Sequence, residues 1–147
     1  MKVITIQQPW ATLVVMGVKQ IETRSWNTKY RGQILIHASA KMTKEAKALC
    51  EQNPFKKYIK DWSYLPLGAI VGRANIQEVY TTKHAQGMIR FQPEYWGDEL
   101  TFGDYSPNLY GWHLTDAREI LTPITAKGQL GIWEYPEDKL REYGIFR

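Results

Sequence analysis

Hydrophobic and polar positions alternate along several short segments of the chain, which is the pattern of β-strands. Residues 2–7 carry Val3 and then the β-branched Ile4, Thr5 and Ile6, and such a run predicts a short buried strand. The same criteria predict five further strands, at residues 19–26, 33–38, 69–79, 110–116 and 129–135.

Helical spacing is found in fewer places. Residues 10–16 supply apolar side chains on several sides and stop at Gly17, the residue preferred where a helix ends in a left-handed conformation. A second helix is predicted over residues 44–52 with Thr43 as its N-cap, and Pro54 begins a third. Six strands with few helices predict a mixed α+β, β-rich fold: a small barrel of about six strands with flanking helices.

Length and composition indicate one domain over residues 1–147, because two ordinary domains would need a longer chain. No apolar run approaches the roughly 20 residues that cross a bilayer, and the first residues lack the features of a signal peptide. We therefore expect a cytoplasmic protein without a membrane partner. A single cysteine, Cys50, and three separated histidines offer no metal-ligand spacing, so we expect neither a metal nor a cofactor.

Charge is distributed unevenly along the chain, although the net charge is only +4. Residues 1–60 contain eleven Lys and Arg against three Glu, whereas residues 61–147 contain eight against twelve acidic residues. A basic region attracts phosphates, and the six Trp and nine Tyr provide aromatic planes on which bases stack. The competing interpretations are a solvated charged face and aromatic residues that fill a small core.

Several short motifs extend over nearly the whole sequence. Residues 8–11 read QPWA, and Gly17, Lys19, Glu22 and Arg24 follow with the spacing G-x-K-x-x-E-x-R. Further along, the segments YRG, ILIHA and GAIVG precede a C-terminal GQLGIW. Together these segments resemble the ASCH family of the PUA-like superfold. The resemblance implies a PUA-like barrel, a cleft between barrel and helices, and recognition of RNA, single-stranded nucleic acid or a modified nucleobase or nucleoside.

The charged triplet Lys19, Glu22 and Arg24 is the candidate site. Three charged groups within six residues need a common site or water, because each is costly to bury alone. Strand alternation predicts Glu22 and Arg24 on one side and Lys19 on the other. Glu22 would accept hydrogen bonds from the N–H edge of a base, while a cation binds a carbonyl or phosphate oxygen. The alternative is a structural ion pair after the turn at Gly17.

Aromatic and basic residues near this triplet predict a rim around the cleft. Trp26, Tyr30 and Arg31 follow it directly, and His37 closes the next strand. Residues 102–108 are rich in turn formers and suit a loop over the mouth of the cleft. Tyr105 and Ser106 are its candidate ligand contacts, whereas we expect Trp10, Trp112 and Trp133 in the core.

An enzymatic alternative also comes from the resemblance. Some ASCH-like proteins are amidohydrolases that deacetylate N4-acetylcytidine with a lysine, a threonine three residues later and a glutamate. Lys19 matches the lysine, but Glu22 occupies the threonine position, and residues 86–88 read Gln-Gly-Met where the glutamate is expected. Lys19 and Glu22 would be the catalytic residues of an enzyme. A third class, a protein-interaction adaptor, would leave the triplet without a role.

Overall fold

The computed structural model describes residues 1–141 and is built on one six-stranded sheet with helices packed against it. The strands are β1 (Lys2–Ile6), β2 (Ile21–Arg24), β3 (Gly32–Ala38), β4 (Ala69–Thr81), β5 (Tyr110–Thr125) and β6 (Ile132–Glu134). The helices are α1 (Trp10–Val15), α2 (Lys44–Cys50), α3 (Phe55–Tyr58), α4 (Thr82–Phe91), α5 (Pro93–Trp96), α6 (Glu99–Phe102) and α7 (Glu137–Arg141), and Trp62–Tyr64 forms a 3₁₀ turn. The expectation of one domain extends over residues 142–147, which lie outside this described part.

The strand order is β2-β5-β4-β3-β1-β6, with β1 parallel to β3 and the other neighbouring pairs antiparallel. The predicted mixed α+β class with six strands and flanking helices is confirmed. Its closure into a barrel is not, because β2 and β6 stand at opposite ends of the order and each pairs with one strand only over residues 1–141. These edge strands have four and three residues, too few to hydrogen-bond around a closed wall.

Helix α1 packs on the sheet and covers its main hydrophobic core. Its Ala11, Val14 and Val15 are buried against the sheet, in the same cluster as the core side chains of β1, β3, β4 and β5. The largest of those side chains, Trp112, is fully buried. Helix α1 follows β1 closely and ends at the tight turn at Gly17, after which β2 starts at Ile21.

The local signals for element ends are also found in place. Thr43 caps α2 through its hydroxyl, which accepts a hydrogen bond from the backbone N–H of Ala46 over 3.0 Å. Cys50 is buried as a small apolar side chain, and this burial raises the pKa of its thiol. The pairing of β4 with β5 changes register between Ile70 and Gly72, a β-bulge or irregularity of the kind that bends a strand.

Two parts of the fold differ from the sequence prediction. Strand β5 continues to Thr125, nine residues beyond its predicted end, because its outer half still pairs with β4. The side chains of this half are largely exposed and do not alternate, so the sequence pattern did not predict it. Helices α4, α5 and α6 were not predicted, since α4 is polar and contains Gly87 and the next two have four residues each. Of these helices, α6 provides part of the wall of the site described below.

Candidate functional site

A cleft of about 550 Å³ opens where the end of β1, helix α1, strand β2 and the segment 101–104 meet. It brings the three residues of the predicted charged triplet together with an apolar wall that comes from separate parts of the chain. Its lining consists of Ile6, Gln7, Trp10, Lys19, Glu22, Thr23, Arg24, Leu49, Phe55, Thr101, Phe102, Gly103 and Asp104.

Lys19, Glu22 and Arg24 form a chain of ion pairs in this cleft. Nζ of Lys19 lies 3.3 Å from Oε1 of Glu22, and Nη1 of Arg24 lies 3.2 Å from Oε2 of the same carboxylate. Lys19 also donates to the carbonyl oxygen of Ile21, and Nη2 of Arg24 donates to that of Thr5 over 3.1 Å. Each of the three charged side chains therefore has a partner of opposite charge, which offsets the cost of removing it from water.

The turn after α1 explains how Lys19 reaches Glu22. Gly17 has a φ of +77°, and the N–H groups of Val18 and Lys19 both donate to the carbonyl oxygen of Leu13 over 3.0 Å. This compact helix end holds Lys19 outside β2, which begins only at Ile21. Strand alternation therefore does not apply to Lys19, and its predicted place on the side opposite Glu22 is wrong.

Glu99 is an acidic residue of the site that the sequence analysis missed. Its side chain is fully buried, and its carboxylate accepts hydrogen bonds from the backbone N–H of Gln20 and, over 3.3 Å, of Ile21. Burial raises the pKa of Glu99, while the charge of Lys19 and the two hydrogen bonds oppose that rise. Glu99 thus connects α6 to the start of β2. No local pattern marks it, because its partners are 78 and 79 residues away.

Tyr105 lies behind the loop wall of the cleft, near both acidic groups. Its ring would meet a Cβ placed on Gly103 at 2.8 Å, so the loop backbone packs directly on it. The hydroxyl is buried and has no hydrogen-bond partner among residues 1–141. Burial raises the pKa of this phenol strongly, and the charges of Glu99 and Glu22 raise it further. Tyr105 therefore stays protonated and keeps an unpaired donor beside the site.

The expected loop contact Ser106 is exposed and does not line the cleft. Its hydroxyl and its N–H donate to the carboxylate of Asp104, which lowers the pKa of that acid. The backbone N–H of Asp104 in turn donates to Oγ1 of Thr23 over 3.2 Å. The loop is thus fastened to β2 at the mouth of the cleft, as its position before β5 predicted.

Three aromatic rings form the apolar wall. Trp10 meets Phe55 edge to face with ring centroids 6.1 Å apart, and Phe55 meets Phe102 at 5.2 Å. The indole N–H of Trp10 donates to the carbonyl oxygen of Phe102 over 2.7 Å. Trp10 is half-buried: it packs against two core clusters, as expected, and it also lines the cleft. For Trp112 and Trp133 the core assignment is correct.

Trp26 and His37 do not reach the cleft. Trp26 packs edge to face on Trp112 with centroids 4.8 Å apart, and the guanidinium of Arg24 lies 5.9 Å from the centroid of its ring. His37 is fully buried, with Nε2 2.7 Å from the carbonyl oxygen of Ala126, and burial lowers its pKa. Trp26 therefore contacts the site only through Arg24. His37 lies in the interior of the domain and not on the rim of the cleft, where it was predicted.

Tyr30 and Arg31 are also occupied elsewhere. The hydroxyl of Tyr30 donates to the carbonyl oxygen of Gln33 over 2.5 Å. Nη2 of Arg31 lies 2.6 Å from Oε1 of Glu78, in an exposed ion pair. Neither residue lines the cleft. The lining of the cleft comes instead from Trp10 of the preceding helix α1 and from α3 and α6, which are distant in sequence.

The ASCH domain family model matches residues 4–124, which include every element from most of β1 to nearly the end of β5. The chain belongs to the ASCH domain family. Two relatives are both named Activating signal cointegrator 1. The human protein is 50% identical over 38 residues, 26% of this chain and 6% of that protein, and the mouse protein is 29% identical over 135 residues, 89% of this chain and 22% of that protein. This ASCH domain thus spans less than a quarter of either relative.

Solved structures of a bacterial ASCH protein share the fold. The crystal structure of ASCH from Zymomonas mobilis has a TM-score of 0.58 and 13% identity, and the match covers 99% of this chain and 94% of that one. A mutant form of that protein gives a TM-score of 0.57 at 12% identity, covering 99% of this chain and 96% of that one. At these identities the likeness supports the architecture and nothing finer.

No group of three or more His, Cys, Asp or Glu side chains within residues 1–141 is arranged to hold a metal ion. None of the helices in the same range is long and apolar enough to cross a membrane.

Proposed function

We propose that this ASCH domain binds RNA, or a nucleoside with a modified base, by holding one unpaired base in the cleft at Lys19, Glu22 and Arg24. The observation that carries the proposal is the Glu22 carboxylate. Its side chain is only 9% exposed, yet it lines a cleft large enough for a base. A carboxylate with so little water is costly to keep without donors around it. Lys19 and Arg24 satisfy one lone pair on each oxygen, and the remaining lone pairs suit the N–H groups of a base.

The pairing within the cleft favours a base over a phosphate. Both cations already contact Glu22, so neither is a free counter-ion for a phosphate group. The Nε of Arg24 is buried and has no hydrogen-bond partner within residues 1–141. A neighbouring acceptor on Glu22 and donor on Arg24 complement a ligand edge that carries a donor beside an acceptor, as the Watson–Crick edges of bases do.

The aromatic wall supplies the second requirement of base recognition. Unpaired bases are bound in RNA-binding proteins by stacking on aromatic rings while their edges form hydrogen bonds. Trp10 is positioned for such a contact, because it lines the cleft and its N–H is held by the Phe102 carbonyl. Base stacking on one aromatic ring contributes about 1–3 kcal/mol, so the wall and the Glu22 edge together are sufficient for measurable binding of a free nucleoside.

Calorimetry with the four ribonucleosides, N4-acetylcytidine and short single-stranded RNA tests this proposal. We expect at least one nucleoside and the RNA to bind, and Glu22→Ala to weaken both by about 1–3 kcal/mol, the cost of losing a charged hydrogen bond. Glu45→Ala on exposed α2 is the matched control and should have no effect. The proposal fails if no RNA, single-stranded DNA or nucleoside binds, or if Glu22→Ala leaves binding of every ligand unchanged.

Amidohydrolysis of an acylated nucleoside is the second candidate function for the same cleft. It is favoured by one observation: the hydroxyl-bearing Thr23 lines the cleft together with Lys19 and Glu22. A hydrolase needs a nucleophile and a base within hydrogen-bond reach of each other. Here Oγ1 of Thr23 accepts from the N–H of Asp104, and Lys19 donates to Glu22 and Ile21. These contacts serve positioning better than proton transfer, so hydrolysis ranks second.

A further inference from the structure

The exposed face of helix α4 combines basic and aromatic residues in two adjacent rows. Ala85 and Ile89 are buried against the rest of the domain. On the opposite side, His84, Met88 and Phe91 follow one another at helical spacing, and Lys83, Gly87 and Arg90 form the next row (the α4 face). Phe91 is 84% exposed. The α4 sequence, Thr82–Phe91, contains no acidic residue.

Gly87 is unusual in this setting because the fold does not require it. It lies in the interior of a ten-residue helix, where glycine destabilises the helix by about 1 kcal/mol relative to alanine. A Cβ at this position would meet nothing within 4 Å, so packing does not demand its absence. Gly87 is part of a shallow surface depression of about 660 Å³ that is lined by Thr81, Lys83, His84, Gly87, Met88 and Phe91.

This depression is connected to the cleft by one loop. Gly103 and Asp104 line the cleft. Further along the same loop, Pro107, Asn108 and Leu109 line a second depression of about 350 Å³, which shares Thr81 and Lys83 with the first. The surface along residues 103–110 therefore leads from the mouth of the cleft to the N-terminal half of α4.

We propose that the α4 face is a second RNA-contact surface, which binds the sugar–phosphate backbone and an adjacent base of a single strand whose unpaired base occupies the cleft. The inference rests on the proposed function for the choice of strand. Lys83 and Arg90 bind phosphate oxygens, Phe91 stacks on a base, and the space at Gly87 admits the ribose between them. The stacked pair of Tyr80 and His84, with centroids 5.0 Å apart, forms the other end of the platform.

Charge and shape favour RNA over a protein as the occupant. A protein-binding helix usually presents a continuous apolar ridge, whereas here Gly87 separates the two cations and the exposed Phe91 lies beside Arg90 at the end of the helix. Alternating cations and aromatic planes are the pattern of surfaces that bind single strands. Lys19 and Arg24 in the cleft are both paired with Glu22, so the phosphates of a bound strand need cationic partners elsewhere on the domain.

Fluorescence anisotropy with a fluorescein-labelled, unstructured 12-nucleotide RNA tests the inference, with free nucleoside binding measured in parallel by calorimetry. We expect Phe91→Ala to weaken RNA binding about tenfold. The double variant Lys83→Ala/Arg90→Ala should reduce the slope of log K against log salt by about 1.4, since each phosphate contact to a single strand contributes about 0.7. Nucleoside binding in the cleft should stay at its wild-type affinity in both variants.

Two surface positions of the chain serve as matched controls. Tyr64 is 85% exposed, like Phe91, and Lys60 is an exposed cation, so Tyr64→Ala and Lys60→Ala should leave RNA affinity and its salt slope unchanged. Gly87→Gln separates folding from binding. It should raise Tm by about 3 °C through helix propensity and still weaken RNA binding, because the new side chain fills the depression.

The outcomes distinguish this inference from the function on which it rests. If the α4 variants bind RNA with wild-type affinity and salt slope, the α4 face is not an RNA-contact surface, whatever the cleft binds. A protein partner then becomes the better occupant of that face. Loss of RNA binding in the α4 variants with no nucleoside binding at all supports the second surface and overturns the cleft as a base site. If wild type binds a nucleoside but no RNA, the second surface alone is overturned, and if it binds neither, both are overturned.

Discussion

The ammonium group of Lys19 donates a hydrogen bond to Oε1 of Glu22 over 3.3 Å, and only 1% and 9% of the two side chains are exposed. The two residues lie on either side of the point where the α1 turn becomes β2. A buried pair of this kind contributes little when compared with an apolar pair, but losing one partner leaves a charge that is hard to hydrate. The site therefore depends on each member being present.

The first prediction concerns the stability of this pair. Lys19→Met should lower the free energy of unfolding by about 3 kcal/mol, because Glu22 then keeps only Arg24 as a counter-ion. A double-mutant cycle with Glu22→Gln, measured by urea denaturation, should give a coupling energy above about 1 kcal/mol. Lys60→Met is the exposed control. Additive effects in the cycle would show that the two side chains act independently.

The second prediction concerns the bond between Trp10 and Phe102 across the cleft. Trp10→Phe keeps an aromatic ring but removes the N–H that donates to the Phe102 carbonyl. We expect a loss of about 1 kcal/mol of stability and weaker nucleoside binding. Trp133→Phe also removes an indole hydrogen bond, to Oγ1 of Thr5, and should lower stability without weakening nucleoside binding. Equal nucleoside affinities in both variants would show that the Trp10–Phe102 hydrogen bond does not contribute to base recognition.

The third prediction compares two glycines. A Cβ at Gly72 would clash with the carbonyl oxygen of Arg118 and would lie 2.6 Å from Cγ1 of Val15. Gly72→Ala should therefore destabilise the protein by about 2 kcal/mol, the usual cost of overpacking. Gly87→Ala should instead stabilise it by about 1 kcal/mol, since space is open around it. Thermal unfolding of the two variants should shift Tm in opposite directions.

The sequence predicts most of the sheet because its signals are local. Apolar alternation, the stop at Gly17 and the cap at Thr43 are each set by neighbouring residues, and all three are found in the structure. The open sheet was not predictable in this way, since strand order is decided by packing between distant segments. The outer half of β5 was not predicted either, because exposed strand positions need not alternate between apolar and polar side chains.

The site was predictable in its chemistry but not in its geometry. The spacing of Lys19, Glu22 and Arg24 identified the charged part, whereas the assumption of a continuous strand misplaced Lys19. Sequence neighbours of the triplet, such as His37, turn into the interior. The wall and the acidic partner, Phe102 and Glu99, come from α6, which has four residues and no periodic pattern. Only tertiary contacts identify such residues.

The fourth prediction concerns the pH dependence of stability from Glu99. Burial holds the pKa of its carboxyl above the ordinary value of 4.5, so the native state binds this proton more tightly than the unfolded chain does. The stability that Glu99 contributes is therefore complete below pH 4.5 and is lost as pH rises through the raised pKa.

Urea unfolding of wild type and Glu99→Gln between pH 4 and pH 8 measures this effect. The free energy of unfolding of wild type, relative to the variant, should fall as pH rises above 4.5 and then level off. The glutamine keeps an oxygen acceptor for one of the two N–H groups, of Gln20 and Ile21, and loses the other. Because glutamine does not titrate, that loss shifts the free energy of unfolding of the variant equally at every pH. A difference that grows with pH would mean that Glu99 is stabilised as the anion.

The last prediction is that the cleft does not deacetylate N4-acetylcytidine efficiently. A general base must accept a proton, yet Nζ of Lys19 donates hydrogen bonds to Glu22 and to the Ile21 carbonyl, and the Thr23 oxygen accepts from the Asp104 N–H. We expect the nucleoside to bind without turnover and to lose affinity in Glu22→Ala. The assay follows acetate release by purified protein, with Lys19→Ala and Glu22→Ala in parallel. Turnover on the order of one per second that disappears in both variants would instead make this ASCH domain an enzyme of ordinary rate.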